Sequence, residues 1–212
     1  MELQVHEIDP AILVKRKEFE ELIQKFGCNL KIWIKYARWE EYQQHFNRSR
    51  YIWERALEKF QYKHSLLWLK YAEFEMRNRQ FRLARNVWDR AVTFLPEFDQ
   101  LWFNYIQMEQ NMLDNVVGAR KIFKRLARQV FEGFVSCHPT VAAWLSYAEF
   151  EMKNGDVTKT RNVYRRALDK LADDKEVEQL FVSFVEFEVR CNNETEREEE
   201  EDCYGLSLLE SC

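Results

Sequence analysis

An aromatic motif recurs along the chain at intervals that constrain its fold more than any other feature. The first copy runs from Trp33 to Glu40, with tyrosine at its fourth position and alanine at its fifth. Further copies start at Trp68, Trp102, Trp144 and, in a weaker form, Phe181. The steps are 35, 34, 42 and 37 residues. A period in this range indicates a repeat protein, in which each unit packs mainly against its neighbours.

A second motif follows each of the first four copies. It opens with arginine and reads Arg-Tyr-Ile-Trp-Glu-Arg-Ala-Leu over residues 50–57. The other copies open at Arg85, Arg120 and Arg161, and the four lie 17, 17, 18 and 17 residues after their leading tryptophan. Two motifs in each period predict two helices in each repeat.

The spacing inside each motif is helical. Trp33, Tyr36, Ala37 and Glu40 fall at i, i+3, i+4 and i+7, which places them on one face of an α-helix. A single apolar stripe on each helix requires neighbouring repeats to stack and share a core. Only five glycines and three prolines interrupt 212 residues. The sequence therefore predicts an all-α protein, an α-α superhelix (solenoid) of tandem helix-turn-helix repeats with an extended concave surface.

The residues that define the motifs are predicted to be structural. In the first helices they are Trp33, Tyr36, Glu40, Trp68, Tyr71, Glu75, Trp102, Tyr105, Glu109, Trp144, Tyr147, Glu151, Phe181, Phe184 and Glu188. In the second helices and the turn after them they are Arg50, Trp53, Ala56, Arg85, Trp88, Ala91, Pro96, Arg120, Phe123, Arg161, Tyr164 and Ala167. The tryptophans could instead stack on nucleic-acid bases, but they share a helix face with alanines, which favours core packing.

The glutamates and arginines of the motifs have two interpretations. They could contact partner proteins, or they could pair with one another within or between repeats and fix the register of the helices. The pairs considered are Glu40 with Arg50 or Arg55, Glu75 with Arg85 or Arg90, and Glu151 with Arg161 or Arg166. The structural interpretation is favoured.

These motifs resemble half-a-TPR (HAT) repeats. The period, the leading tryptophan and Pro96 are shared with tetratricopeptide repeats, but the seventh position after the tryptophan holds glutamate, as in Glu40 and Glu75, where those repeats carry an aromatic residue. Segments such as residues 69–76 and 85–92 resemble crooked neck-like pre-mRNA splicing factors over roughly Lys15 to Arg197. The resemblance implies a nuclear protein scaffold for spliceosome assembly and pre-mRNA splicing, with proteins of the nineteen complex as partners.

The repeats are irregular at three places. Residues 127–132 duplicate residues 119–124 eight positions later, so the joint near 125–135 is predicted to be kinked, strained or loose. A capping helix is expected over 14–27 after an N-terminal extension over 1–13, and the solenoid over 28–190. No second helix follows Phe181–Glu188, which leaves an uncapped face that could self-associate. The segment 191–212 is acidic and predicted to be disordered, and the chain resembles an amino-terminal portion or shortened copy of its relatives.

Composition argues against other classes of function. The four histidines stand apart, the glycines form no phosphate-binding loop, and no cysteine pair has metal-ligand spacing, so no catalytic, cofactor or metal site is expected. The five cysteines are read as buried thiols of an intracellular protein. No segment is apolar enough to span a membrane.

The charge distribution makes direct RNA binding a weaker alternative. The net charge is −4, but Glu194 to Asp202 alone contributes −6 and Glu210 another −1, so the first 193 residues carry about +3. Such a balance argues against a dominant phosphate-binding surface. A HAT scaffold of pre-mRNA 3′-end cleavage or of ribosomal RNA processing is the other alternative, because similar repeats occur there.

Overall fold

The computed structural model describes residues 9–173 and 175–192, and it confirms the predicted all-α repeat fold. The helices are α1 Pro10–Phe26, α2 Leu30–Tyr42, α3 Phe46–Lys59, α4 Ser65–Arg77, α5 Phe81–Phe94, α6 Asp99–Gln107, a π-helical turn Met108–Met112, α7 Val116–Cys137, α8 Val141–Lys153, α9 Val157–Lys170. A last helix, α10, covers residues 177–192. First and second helices alternate from α2 onward, as the two motifs predict.

The first helix begins earlier than the sequence analysis expected. It starts at Pro10 and not near residue 14. The Asp9 side chain accepts a hydrogen bond from the Ala11 N–H at 2.8 Å, and proline occupies the first helical turn. Both features favour a helix start, since aspartate caps the unpaired N–H groups and proline needs no N–H there. The expected extension over 1–13 is therefore shorter, and residues 1–8 lie outside the described part.

The turns from first to second helices share one backbone conformation, a residue with positive φ. Gln44, Arg79, Asp114 and Gly155 have positive φ values of 63°, 55°, 48° and 73°. The N–H of the following residue then donates to the carbonyl of the motif glutamate, as His45 does to Glu40 at 2.9 Å. A left-handed residue at this place ends a helix and satisfies carbonyls that would otherwise lack partners.

The π-helical turn explains why the second motif of the third repeat follows its leading tryptophan at a longer spacing than in the other repeats. The first helix of the third repeat continues from α6 into Met108–Met112, which contains Glu109. In that repeat the second motif lies 18 residues after Trp102, one more than in the others. A π turn accommodates one extra residue inside a helix. Glu109 therefore keeps its place relative to Trp102 while the chain beyond it gains a residue.

The chain groups into two compact units, Met1–Phe123 and Lys124–Cys212, and the boundary falls inside α7. In the first unit each helix from α1 to α5 contacts the next one along the chain. In the second unit α8 packs against α9. The core of that unit includes Trp144, Tyr147 and Leu180. The helix α7 is continuous through residues 125–135, where the sequence indicated an irregular joint.

Two further expectations concern the cysteines and the tail. Cys28 and Cys137 are exposed, which corrects the expectation of buried thiols. Cys28 lies in the turn between α1 and α2 and Cys137 is the last residue of α7, so neither belongs to an apolar stripe. Cys191 and Asn192 still belong to α10. The rest of the acidic segment, from residue 193 onward, lies outside the described residues.

Candidate functional site

The motif residues meet at the junctions between repeats, where a second helix contacts the first helix of the next repeat. At each junction an aromatic ring of the second helix stacks on an aromatic ring of the next helix, with interplanar angles of 1° to 24°. The stacked pairs are Phe19–Tyr36, Trp53–Tyr71, Trp88–Tyr105, Phe131–Tyr147 and Tyr164–Phe184, with ring centroids 4.7, 6.0, 6.3, 5.1 and 5.2 Å apart.

An ion pair accompanies each stack. The arginine three residues before the aromatic residue binds the glutamate four residues after its partner through two parallel hydrogen bonds. The pairs are Arg16–Glu40 at 2.8 and 2.9 Å, Arg50–Glu75 at 2.7 and 3.0 Å, Arg85–Glu109 at 2.6 and 3.1 Å, Arg128–Glu151 at 2.6 and 2.9 Å, and Arg161–Glu188 at 2.5 and 2.7 Å. Bidentate contacts of this kind fix both distance and orientation, so they set the register of adjacent repeats.

The ion pairs resolve the alternatives that the sequence left open. Each motif glutamate binds the motif arginine of the preceding second helix and not that of its own repeat: Glu75 binds Arg50, while Arg85 binds Glu109. The pairings of Glu40 with Arg50 or Arg55, and their counterparts for Glu75 and Glu151, are therefore wrong. The reason is geometric, since the arginine and the stacking aromatic share the helix face that meets the next repeat.

A second set of ion pairs links consecutive second helices. Arg55 binds Glu20 at 2.7 and 2.9 Å, Arg90 binds Glu54 at 2.7 Å twice, and Arg166 binds Glu132 at 2.7 Å twice. The same guanidinium groups lie 5.2–5.4 Å from the ring centroids of Trp33, Trp68 and Trp144. A cation over an indole face is attracted to it, so each arginine connects its own first helix to the preceding repeat.

Arginine contacts lower the pKa of two glutamates in this second set of ion pairs. The hydrogen bonds from Arg55 lower the pKa of Glu20, and those from Arg166 lower the pKa of Glu132, in both cases against the effect of burial. The Tyr147 hydroxyl also donates to Glu132 at 2.8 Å. Opposite charges and hydrogen bonds to the ionised form both favour a carboxylate. The two glutamates are thus held charged as structural partners.

The leading tryptophans lie in the core. Trp33, Trp68, Trp102 and Trp144 are at most 3% exposed, as core packing requires. In the first three, the indole N–H donates to the carbonyl six residues earlier, at 2.9–3.0 Å. Pro96 supplies that carbonyl for Trp102. The indole nitrogen of Trp144 is buried without a hydrogen-bond partner, so the entry into that repeat differs from the other three.

Sequence reasoning did not predict the glutamate acceptors of Arg55, Arg90 and Arg166. It also did not assign Arg16 and Arg128 as partners of Glu40 and Glu151. A signal was present in the second-helix motif. Arginine, two residues, an aromatic residue and then an acid occur at residues 16–20, 50–54, 85–89 and 128–132. That spacing places the arginine and the acid at i and i+4, on one side of the helix.

Within residues 9–173 and 175–192, no group of three or more histidine, cysteine, aspartate or glutamate residues is arranged to hold a metal ion. Over the same residues, no helix combines the length and the apolarity that a membrane crossing needs. The motif glutamates pair with arginines of the neighbouring second helices, which favours a role in packing the repeats against one another.

Helix pairs joined by stacked rings and arginine–glutamate pairs define a repeat protein of the half-a-TPR class. The chain belongs to the family described as "Pre-mRNA-splicing factor Syf1/CNRKL1 N-terminal HAT repeat", which matches residues 15–130 and 61–198.

Individual relatives are similar over shorter stretches. The pre-mRNA-splicing factor CLF1 of Pyricularia oryzae is 56% identical over 43 residues, which are 20% of this chain and 6% of that protein. The factor clf-1 of Neurospora crassa is 33% identical over 107 residues, 50% of this chain and 14% of that protein. Human Crooked neck-like protein 1 is 46% identical over 52 residues, 24% of this chain and 6% of that protein. The matched part is thus a small fraction of each relative.

Proposed function

We propose that this chain is a protein–protein interaction scaffold that acts in spliceosome assembly and pre-mRNA splicing in the nucleus, with proteins of the nineteen complex as its partners. Family membership over residues 15–198 is the observation that carries the proposal. Two of the relatives named above, those of Pyricularia oryzae and Neurospora crassa, are pre-mRNA-splicing factors, which supports the process.

The arrangement of charged residues supports a scaffold over an enzyme. Glu40, Glu75, Glu109 and Glu151 are at most 2% exposed and each is bound by arginine. A general acid, a general base or a nucleophile has to reach its substrate. The residues that recur in every repeat therefore hold helices together, and the proposal assigns them no catalytic step.

Recovery of partners from nuclear extract tests the proposal. The tagged full chain is incubated with extract, with and without ribonuclease, and retained proteins are identified by mass spectrometry. We expect enrichment of splicing proteins over the tag alone, and we expect it to survive ribonuclease.

Three results would contradict the proposal in distinct ways. Enrichment of 3′-end cleavage proteins or of ribosomal RNA processing proteins would keep the scaffold and change the process. Loss of all partners after ribonuclease, together with RNA binding that weakens steeply with salt, would indicate direct RNA binding. Retention of no protein above the tag control would remove the scaffold role for this chain.

A further inference from the structure

A cavity of about 550 Å³ lies in the first unit. Its lining includes Arg16, Arg48 and Arg50, together with Gln44, Asn47 and Phe46. The volume falls in the range of ordinary ligand sites, roughly 300–1,000 Å³. It lies where the turns of the first two repeats adjoin, beside the starts of α3 and α5.

Positive charge exceeds negative charge around this cavity. Arg16 and Arg50 are matched by their junction partners Glu40 and Glu75, which are both fully buried. Arg48 is an additional cation, since its Nε donates to the same Glu40 carboxylate at 3.1 Å. One buried carboxylate therefore serves two arginines, which leaves a surplus of about one positive charge.

The neighbouring His45 does not cancel this surplus. Its Nδ1 lies 3.1 Å from Arg16 Nη2. The same Nδ1 lies 3.4 Å from Glu40 Oε2, and an imidazole is either neutral or cationic, so it adds no negative charge to the cavity. Arg48 keeps donors available, because its contacts with Glu40 and with the Tyr36 hydroxyl at 3.3 Å involve two of its five N–H groups. Its side chain is 40% exposed.

The surplus arginine is specific to the first repeat. The equivalent positions in the following repeats are Leu83, Gly118 and Lys159. The helices α5, α7 and α9 form their junction ion pairs without an arginine at this position. Arg48 is therefore not one of the recurring junction arginines, and a cation placed at the mouth of a cavity favours a negatively charged ligand.

Helix geometry adds to the attraction for an anion. His45 and Gln80 precede α3 and α5, and neither side chain caps the first turn of its helix. Both residues line the cavity. The N–H groups of an uncapped first turn carry partial positive charge and suit an anionic oxygen.

We propose that this cavity binds an acidic side chain of an extended peptide on a partner protein, an inference that rests on the proposed scaffold function. A surplus of one charge matches a single carboxylate, whereas RNA binding requires several cations spaced along a strand. Gln44 and Gln80 can hydrogen-bond a peptide backbone, and Phe46 and Leu83 provide apolar contact beside the acid.

Fluorescence anisotropy of the full chain tests the cavity directly. The probe is a short fluorescein-labelled peptide that alternates glutamate and leucine, compared with its lysine counterpart and with labelled oligouridine. We expect the acidic peptide alone to bind. Arg48→Leu, which copies the residue of the next repeat, should weaken binding by about tenfold, because it removes a charge-assisted hydrogen bond to the ligand.

Three matched variants separate the site from general charge and from folding. Arg38→Leu removes an exposed arginine of α2 outside the cavity and should leave binding unchanged. Arg48→Lys should retain most of the affinity. Gln44→Glu places a negative charge in the cavity without touching an ion pair and should weaken binding as Arg48→Leu does. Its melting temperature should equal that of the unaltered chain, so its loss of binding is not a loss of fold.

Several outcomes would overturn the inference. They are no binding of the acidic peptide, equal weakening by Arg38→Leu and Arg48→Leu, or tighter binding of oligouridine that Arg48→Leu abolishes. Recovery of splicing proteins by the Arg48→Leu chain would leave the scaffold proposal standing even then. Conversely, if the chain binds the acidic peptide but retains no splicing protein, the result supports the peptide site and contradicts the splicing scaffold.

Discussion

The junction between α3 and α4 and the helix α7 carry the same second-helix motif, and they use it differently. At the first place one copy supplies both Trp53 and Arg50 to the next helix. In α7 two copies lie eight residues apart, and the second copy supplies Phe131 and Arg128 to α8. Phe123, the aromatic residue of the first copy, is 52% exposed. The comparison teaches that register, and not the presence of the motif, decides which residues are structural.

Helix geometry explains why only one copy can serve α8. Eight residues turn an α-helix by about 800°, so the two copies face directions about 80° apart. A helix that meets α8 with Phe131 and Arg128 cannot present Phe123 and Arg120 to it as well. This also corrects the expectation that Arg120 and Phe123 act as Arg50 and Trp53 do.

The largest expected effect tests the aromatic positions. Trp88 is 1% exposed and stacks on Tyr105, so Trp88→Ala should lower the free energy of unfolding by about 3–5 kcal/mol. Phe123→Ala should cost less than about 1 kcal/mol, because half of that ring is already in solvent. Denaturant unfolding of the full chain measures both. Equal losses would show that Phe123 is also structural.

The ion pairs test the same comparison with charged residues. Arg128→Met strands the Glu151 carboxylate, which is 1% exposed, and should cost about 2–4 kcal/mol after allowing for the partial exposure of Arg128. Arg120→Met, on the same helix, should change stability by no more than about 0.5 kcal/mol, because Arg120 is exposed.

The two methionine variants preserve the aliphatic stem, so they isolate the charge. Unfolding monitored by circular dichroism gives both values under identical conditions. If Arg120→Met were the more costly change, the assignment of the second copy to α8 would be wrong.

A smaller effect distinguishes the entries of two repeats. Trp68→Phe removes a hydrogen bond to the Tyr62 carbonyl at 3.0 Å, whereas the buried indole nitrogen of Trp144 has no hydrogen-bond partner to lose. Both changes remove similar volume. Trp68→Phe should therefore cost about 1 kcal/mol more than Trp144→Phe in thermal or denaturant unfolding. Equal costs would mean that the hydrogen bond contributes nothing net.

The sequence predicted the repeat and the helix pairs because hydrophobic spacing reports directly on helix faces. It could not choose the partner of Glu75, since spacing along one helix does not say which neighbouring repeat that face meets. The π turn had a signal, the 18-residue spacing after Trp102, but a single extra residue can equally lengthen a loop. The surplus charge at Arg48 could not be predicted from spacing, because it depends on Glu40 binding both Arg16 and Arg48.

Two glycines give the smallest expected effect and test the continuity of α7. Gly133 lies inside that helix with nothing within 4 Å of an added Cβ atom, so Gly133→Ala should stabilise the chain by up to about 1 kcal/mol. Gly155 has equally open space but a φ of 73°, so Gly155→Ala should destabilise by about 1 kcal/mol. The same atoms are added in both variants, and only the backbone differs. Changes of opposite sign in the free energy of unfolding would establish that residue 133 is held in a helix. A decrease in that free energy for both variants would mean that the helix is not continuous there.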